Sequence, residues 1–128
     1  MAAWANSFSG MSAAWFDRET VLRFAQAMAA YPLPEEPIEI SSGFGARDGA
    51  PPQEHVGLRV SRVGVWGQVG FRTHLSTAVW PHTRPESVHE VWLELLTTYE
   101  RLRMLGRHLA VLVEGRLAVA EIEGDRLV

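Results

Sequence analysis

Val56, Leu58 and Val60 alternate with Gly57, Arg59 and Ser61, and after a short interruption the same period of two returns at Val69, Phe71, Leu75 and Val79. A repeat of two is that of an extended strand, whose successive side chains leave opposite faces; a helix would space its apolar residues three and four apart. Gly64 and Gly67 bracket Val65 and Trp66 between the two runs, so together they read as a hairpin. Beyond the loop WPHTRPES, the segment HEVWLELLTT alternates again, with Val91, Leu93 and Leu95 inward and Glu90, Trp92 and Glu94 outward. Its Leu and Glu content would also suit a helix, but the β-branched start and the Thr pair at its end favour a strand. Upstream, Ile38 and Ile40 lie on one side of a further short strand, IEISSGF, and GARDGAPPQE after it reads as an exposed loop.

Two segments follow the helical period instead. In DRETVLRFAQAMAAYPLP, Asp17 is the expected N-cap, Glu19 lies in the first turn, and Val21, Phe24, Ala25 and Met28 recur on one face. This predicts a helix over 17–31, ended by Pro32. Thr97 and Glu100 have the spacing of a capping box, so a second helix is expected from about Thr98, burying Leu102, Leu105, Leu109 and Leu112 until Gly115 stops it. LAVAEIEG would then return as a last strand; a rival reading ends the helix at Gly106 and folds LAVLV and LAVAEI into a hairpin across Glu114 and Gly115.

The expected fold is therefore α+β: a two-layer, antiparallel four-stranded meander, five-stranded if the last segment pairs, with two helices on one face. A chain of 128 residues suits one such domain, taken as 11–128. Residues 1–10 are expected to be a mobile N-terminal extension unless Trp4 or Phe8 docks on the core.

Composition removes several chemistries. The chain has no Cys, which excludes disulfides and thiolate nucleophiles and is compatible with the cytoplasm. It has no Lys, which excludes Schiff bases and a phosphate-loop lysine, and its basic residues are all Arg, a bias consistent with a GC-rich genome. A net charge of −3 with no basic cluster argues against nucleic acid, and no segment has the length of a membrane span or the basic start of a signal peptide.

What remains is the outward face of the sheet. Arg59, Arg72, His74, Glu90, Trp92 and Glu94 fall on it, and simple strand pairing sets Arg72 and His74 beside the two carboxylates with Trp92 between them. Cross-strand ion pairing alone would account for the charges. Trp92 has two readings: an anchor for a partner, since a large aromatic beside Arg is a common hot-spot composition, or a residue packed under the N-terminal segment. His74 with Glu90 or Glu94 has the makings of a proton-transfer pair, but no nucleophilic Ser motif accompanies it, and the three Asp lie elsewhere, at Asp17, Asp48 and Asp125. The spacings of His74, His82 and His89 match no metal-ligand pattern, and GFGARDG is a turn without the lysine or the strand-to-helix context of a nucleotide loop. No enzyme, metal or cofactor is expected.

The segments WFD followed by TVLRFAQAMAAYPL, EHVGLRV, and EVWLELLTTYERLRMLGRHLAVLVEG resemble those of small uncharacterised α+β proteins of actinobacteria, some of them similar to immunity proteins of polymorphic toxin systems. The resemblance covers about Trp15 to Glu123 and transfers no catalytic residue. It implies a cytoplasmic interaction module that binds one protein partner; self-association through the same face, as a homodimer, and a small-ligand site are the alternatives.

Overall fold

The computed structural model of the protein describes residues 1–43, 54–77 and 84–124. Its elements are β1 (Ala2–Ala5), β2 (Phe8–Met11), α1 (Arg18–Ala27), β3 (Ile38–Ser42), β4 (Val56–Val63), β5 (Gln68–Ser76), β6 (Glu90–Thr98) and α2 (Tyr99–Val113), with one 3-10 turn at Pro85–Ser87. Strands β3 to β6 pair in chain order into an antiparallel four-stranded sheet, and β1 and β2 form a separate antiparallel hairpin. The fold is α+β. Residues 45–53 of the exposed loop expected after β3, the continuation of β5 toward Trp80 and most of WPHTRPES lie outside the described residues, while Glu54, the last residue of that loop, is half-buried.

The alternation fixes which side of the sheet meets the helices. Phe71 of β5 pairs with Val60 of β4 and Leu95 of β6, and Ile38 of β3 pairs with Val60. Phe24 of α1, Met28 at its C-cap, and Leu102 and Leu105 of α2 close over this row to form the core. Each such side chain, fully buried, contributes about 1.5–3 kcal/mol, so the helical layer is held on mainly by its apolar stripe. The two helices touch almost backbone to backbone. A Cβ on Gly106 of α2 would stand 2.7 Å from the carbonyl oxygen of Ala25 in α1, so glycine is what permits this approach.

The turn between β4 and β5 forms as the glycines require: Gly64 and Gly67 both take positive φ, 64° and 77°, and Val63 pairs with Gln68 across it. At its tip Val65 and Trp66 point into solvent.

Helix α1 is shorter than its apolar period suggests. It ends at Ala27, and the amides of Ala29 and Ala30 bond carbonyls three residues back, because the chain must leave the helical region before Pro32. Asp17 stands at the N-cap, but its carboxylate accepts from the Thr20 hydroxyl at 3.3 Å and caps no backbone amide.

Helix α2 runs its full expected length, which excludes the rival hairpin. Its cap is Thr98, whose side chain accepts from the Arg101 amide at 3.2 Å, and not the Thr97 of the capping-box spacing. The pleat decides between them: Thr97 is an inward residue of β6, fully buried, and its hydroxyl donates to the Glu123 carbonyl at 3.0 Å. At the far end Gly115 takes φ 80°, with its amide on Leu112 and that of Arg116 on Val111, the double closure of a Schellman turn.

Two expectations are corrected. The segment LAVAEIEG is not a fifth strand; Ala120 and Ile122 pack against the core, and Thr97 fastens the segment through a side chain where a strand would need a backbone ladder. Residues 1–10, expected from sequence to be a mobile N-terminal extension, hold β1 and most of β2, which pair as a hairpin over Ala2–Met11. Its aromatic residues are not what docks: Trp4 and Phe8 are exposed, while Gly10 lies against Val91 and Leu75, and the Ser12 hydroxyl donates to the Ser76 carbonyl at 2.6 Å.

Candidate functional site: the open face of the sheet

Both helices lie on one face, so the other is open, and no described element crosses it. All six residues picked out by alternation, Arg59, Arg72, His74, Glu90, Trp92 and Glu94, project from this open face. The register sets Arg72 opposite Glu94, His74 opposite Trp92, and Arg59 opposite Arg72. Trp92 is 56% exposed and so does not lie under the N-terminal segment.

His74 is the exception to an otherwise wet face. It is only 8% exposed, because three groups close around it. Its Nε2 meets Glu90 Oε2 at 2.9 Å, one pleat along β6. Its Nδ1 meets a carboxylate oxygen of Glu54. The indole of Trp92 lies flat on the imidazole, with ring centroids 3.8 Å apart and planes within 8°.

Glu54 is the member that alternation does not reveal, since it precedes β4 and belongs to no strand. It folds back over Gly57, the residue opposite His74, and a Cβ there would come within 2.5 Å of the Glu54 carboxyl. The one available signal is a glycine in an outward position directly beside a histidine: the missing side chain makes room for another group.

Hydrogen-bond accounting shows what this cluster does. A carboxylate only accepts, so a doubly protonated imidazolium satisfies both neighbours, while a neutral ring can donate to one of them. Each nitrogen has a carboxylate oxygen against it and one ring face is covered by the indole. No ring nitrogen is presented to a substrate, which a general base requires. The arrangement is suited to holding: two carboxylates fix the plane of the imidazole, and the imidazole fixes the plane of the indole.

The remaining charges divide into paired and unpaired. Arg59 is clasped by Glu39 at 2.9 and 3.0 Å, an exposed pair of the kind that contributes about 0–1 kcal/mol. Arg72 and Glu94 form no ion pair among the described residues, although they are cross-strand neighbours. A shallow depression of about 280 Å³ lies over the cluster, lined by residues that include Glu39, Glu54, Arg72, His74 and Trp92. Another, of about 360 Å³, opens against Arg72, Trp92 and Glu94.

No group of three or more potential ligands among the described residues is arranged to hold a metal ion. Of the other two histidines considered for a metal, His89 is exposed beside Thr77 and His82 lies outside the described residues. No described helix is long and apolar enough to cross a membrane. Compared with protein-family models, with curated proteins and with solved structures, the chain matches none.

Proposed function

We propose that this protein is a small interaction module, not an enzyme, that buries the open face of its sheet against one protein partner. The observation that carries the reading is Trp92: a large aromatic held flat on a fixed imidazole yet 56% exposed, in the middle of a sheet face that no described element covers. Binding hot spots are enriched in Trp and Arg, and an anchor already fixed before binding loses less rotamer entropy on docking. Arg72, which forms no ion pair among the described residues, supplies a second contact. A cytoplasmic immunity-like protein that neutralises a toxin is the sharpest form of this reading; the resemblance of its segments to such proteins and the absence of cysteine both accord with it. No cofactor and no nucleic acid enter.

A homodimer is the second reading, and the adjacency of Arg72 and Glu94, which form no ion pair among the described residues, favours it. A two-fold axis running along the seam between β5 and β6 would set Arg72 of one copy over Glu94 of the other.

The test is affinity capture of the tagged protein from its native host, together with its mass in solution, for the wild type, Trp92→Ala and Arg72→Ala. A single stoichiometric foreign protein that is lost from both variants supports the proposal. Capture unaffected by either substitution removes the open face from the binding role, and a wild-type dimer broken by the substitutions selects the second reading.

A further inference from the structure

We infer that the partner of the open face is a basic protein surface that lays an arginine side chain on the free face of Trp92; this deepens the docking role proposed above and rests on it. Charge is the first argument. Among the described residues around the indole, four carboxylates, Glu39, Glu54, Glu90 and Glu94, share the face with two guanidiniums, Arg59 and Arg72, and one imidazole, His74. These described groups sum to a net negative charge whichever protonation state His74 holds. An acidic partner would meet that excess, and so would a second copy of the same face.

Geometry is the second argument. The His74 stack covers one side of the indole and leaves the other exposed, and β6 is an edge strand of the sheet, with no further strand hydrogen-bonded to it among the described residues. Glu90 and Glu94 are two residues to either side of Trp92 on the same strand, so they leave the same face roughly 7 Å from it along the strand. A cation over the ring would lie between them. Glu90 is already engaged by His74, but Glu94 has no ion-pair partner among the described residues. Aromatic faces attract cations, and a planar guanidinium stacks on the ring while its in-plane N–H groups reach outward to carboxylates, which an ammonium does less well.

The test is a titration of the whole protein with an amidated peptide of alternating arginine and glycine, followed by the indole N–H resonance of Trp92, which is assigned by its loss in Trp92→Phe. The same peptide with neutral citrulline in place of arginine, and one with glutamate, serve as comparators. The expected result is a saturable shift of the Trp92 resonance by the arginine peptide, weakened about two- to fivefold in Glu94→Gln, and a larger loss of affinity in Trp92→Ala, which is read by calorimetry because that variant lacks the resonance. Citrulline binding as tight as arginine binding overturns the inference, as does the absence of any shift. A glutamate peptide that moves Trp92 and Arg72 also overturns it, yet leaves the docking role standing. Loss of the docking role itself shows instead in host capture that ignores Trp92.

Discussion

Glu54→Ala takes one of the two carboxylates from His74, and the cost separates a cluster that holds the face together from ordinary surface pairing. The side chain of His74 is 10% exposed and that of Glu54 36%. A hydrogen bond to a charged group contributes about 1.5–3 kcal/mol, and the partial exposure of Glu54 points to the lower end of that range, about 1.5 kcal/mol. Glu39→Ala provides the control. It breaks the Arg59 pair, whose side chains are 48% and 61% exposed, and should cost at most about 1 kcal/mol. Urea unfolding followed by tryptophan fluorescence measures both, and an unchanged slope shows that the folded and unfolded states keep their compactness. Gly57→Ala reaches the same interaction from the other side, since its Cβ would displace the Glu54 carboxyl. It should therefore destabilise the wild type but cost little in the Glu54→Ala background, a non-additivity expected only of groups in contact. If Glu54→Ala costs no more than Glu39→Ala, or if the two substitutions at 54 and 57 simply add, the cluster does not fix the imidazole and the argument for a fixed Trp92 fails.

Gly106→Ala should destabilise by about 1 kcal/mol: crowding against the Ala25 carbonyl costs about 1–3 kcal/mol and the gain in helix propensity offsets up to about 1, a balance that thermal unfolding reads directly. Thr98→Ala should cost about 1 kcal/mol and speed hydrogen exchange at the Arg101 amide, whereas Thr97→Val should leave that amide protected and loosen residues 120–124; the reverse pattern would return the cap to Thr97. Removal of residues 1–10 uncovers Val91 and Leu75 and should lower the melting temperature, while an unchanged value would mean that the hairpin contributes no stability.

The strands were legible because their two faces differ sharply in polarity. Val56 to Val60, Val69 to Leu75 and Val91 to Leu95 each alternate cleanly, and the glycine pair at 64 and 67 set the hairpin register, so Arg72, His74, Trp92 and Glu94 could be assigned to one face in advance. Local chemistry without that periodicity was harder to read. Thr97 and Thr98 both suit a cap, and only the pleat, which buries Thr97, chooses between them. LAVAEIEG has strand propensity, but the strand it meets receives it through the Thr97 hydroxyl and side-chain packing. Ala2 to Met11 has weak alternation, and its docking depends on Gly10, a residue with no side chain to announce it. Glu54 reaches His74 from outside any repeat, so the decisive feature of the site, an imidazole braced from both ends, follows from tertiary contact alone.

The most direct measurement places a photo-crosslinking residue at one position of each face, Glu94 on the open sheet and Arg103 on the exposed side of α2, and irradiates the protein in its native host. The account predicts one crosslinked foreign protein from position 94 and none from 103. Crosslinks from position 103 alone, or the same products from both, would contradict it.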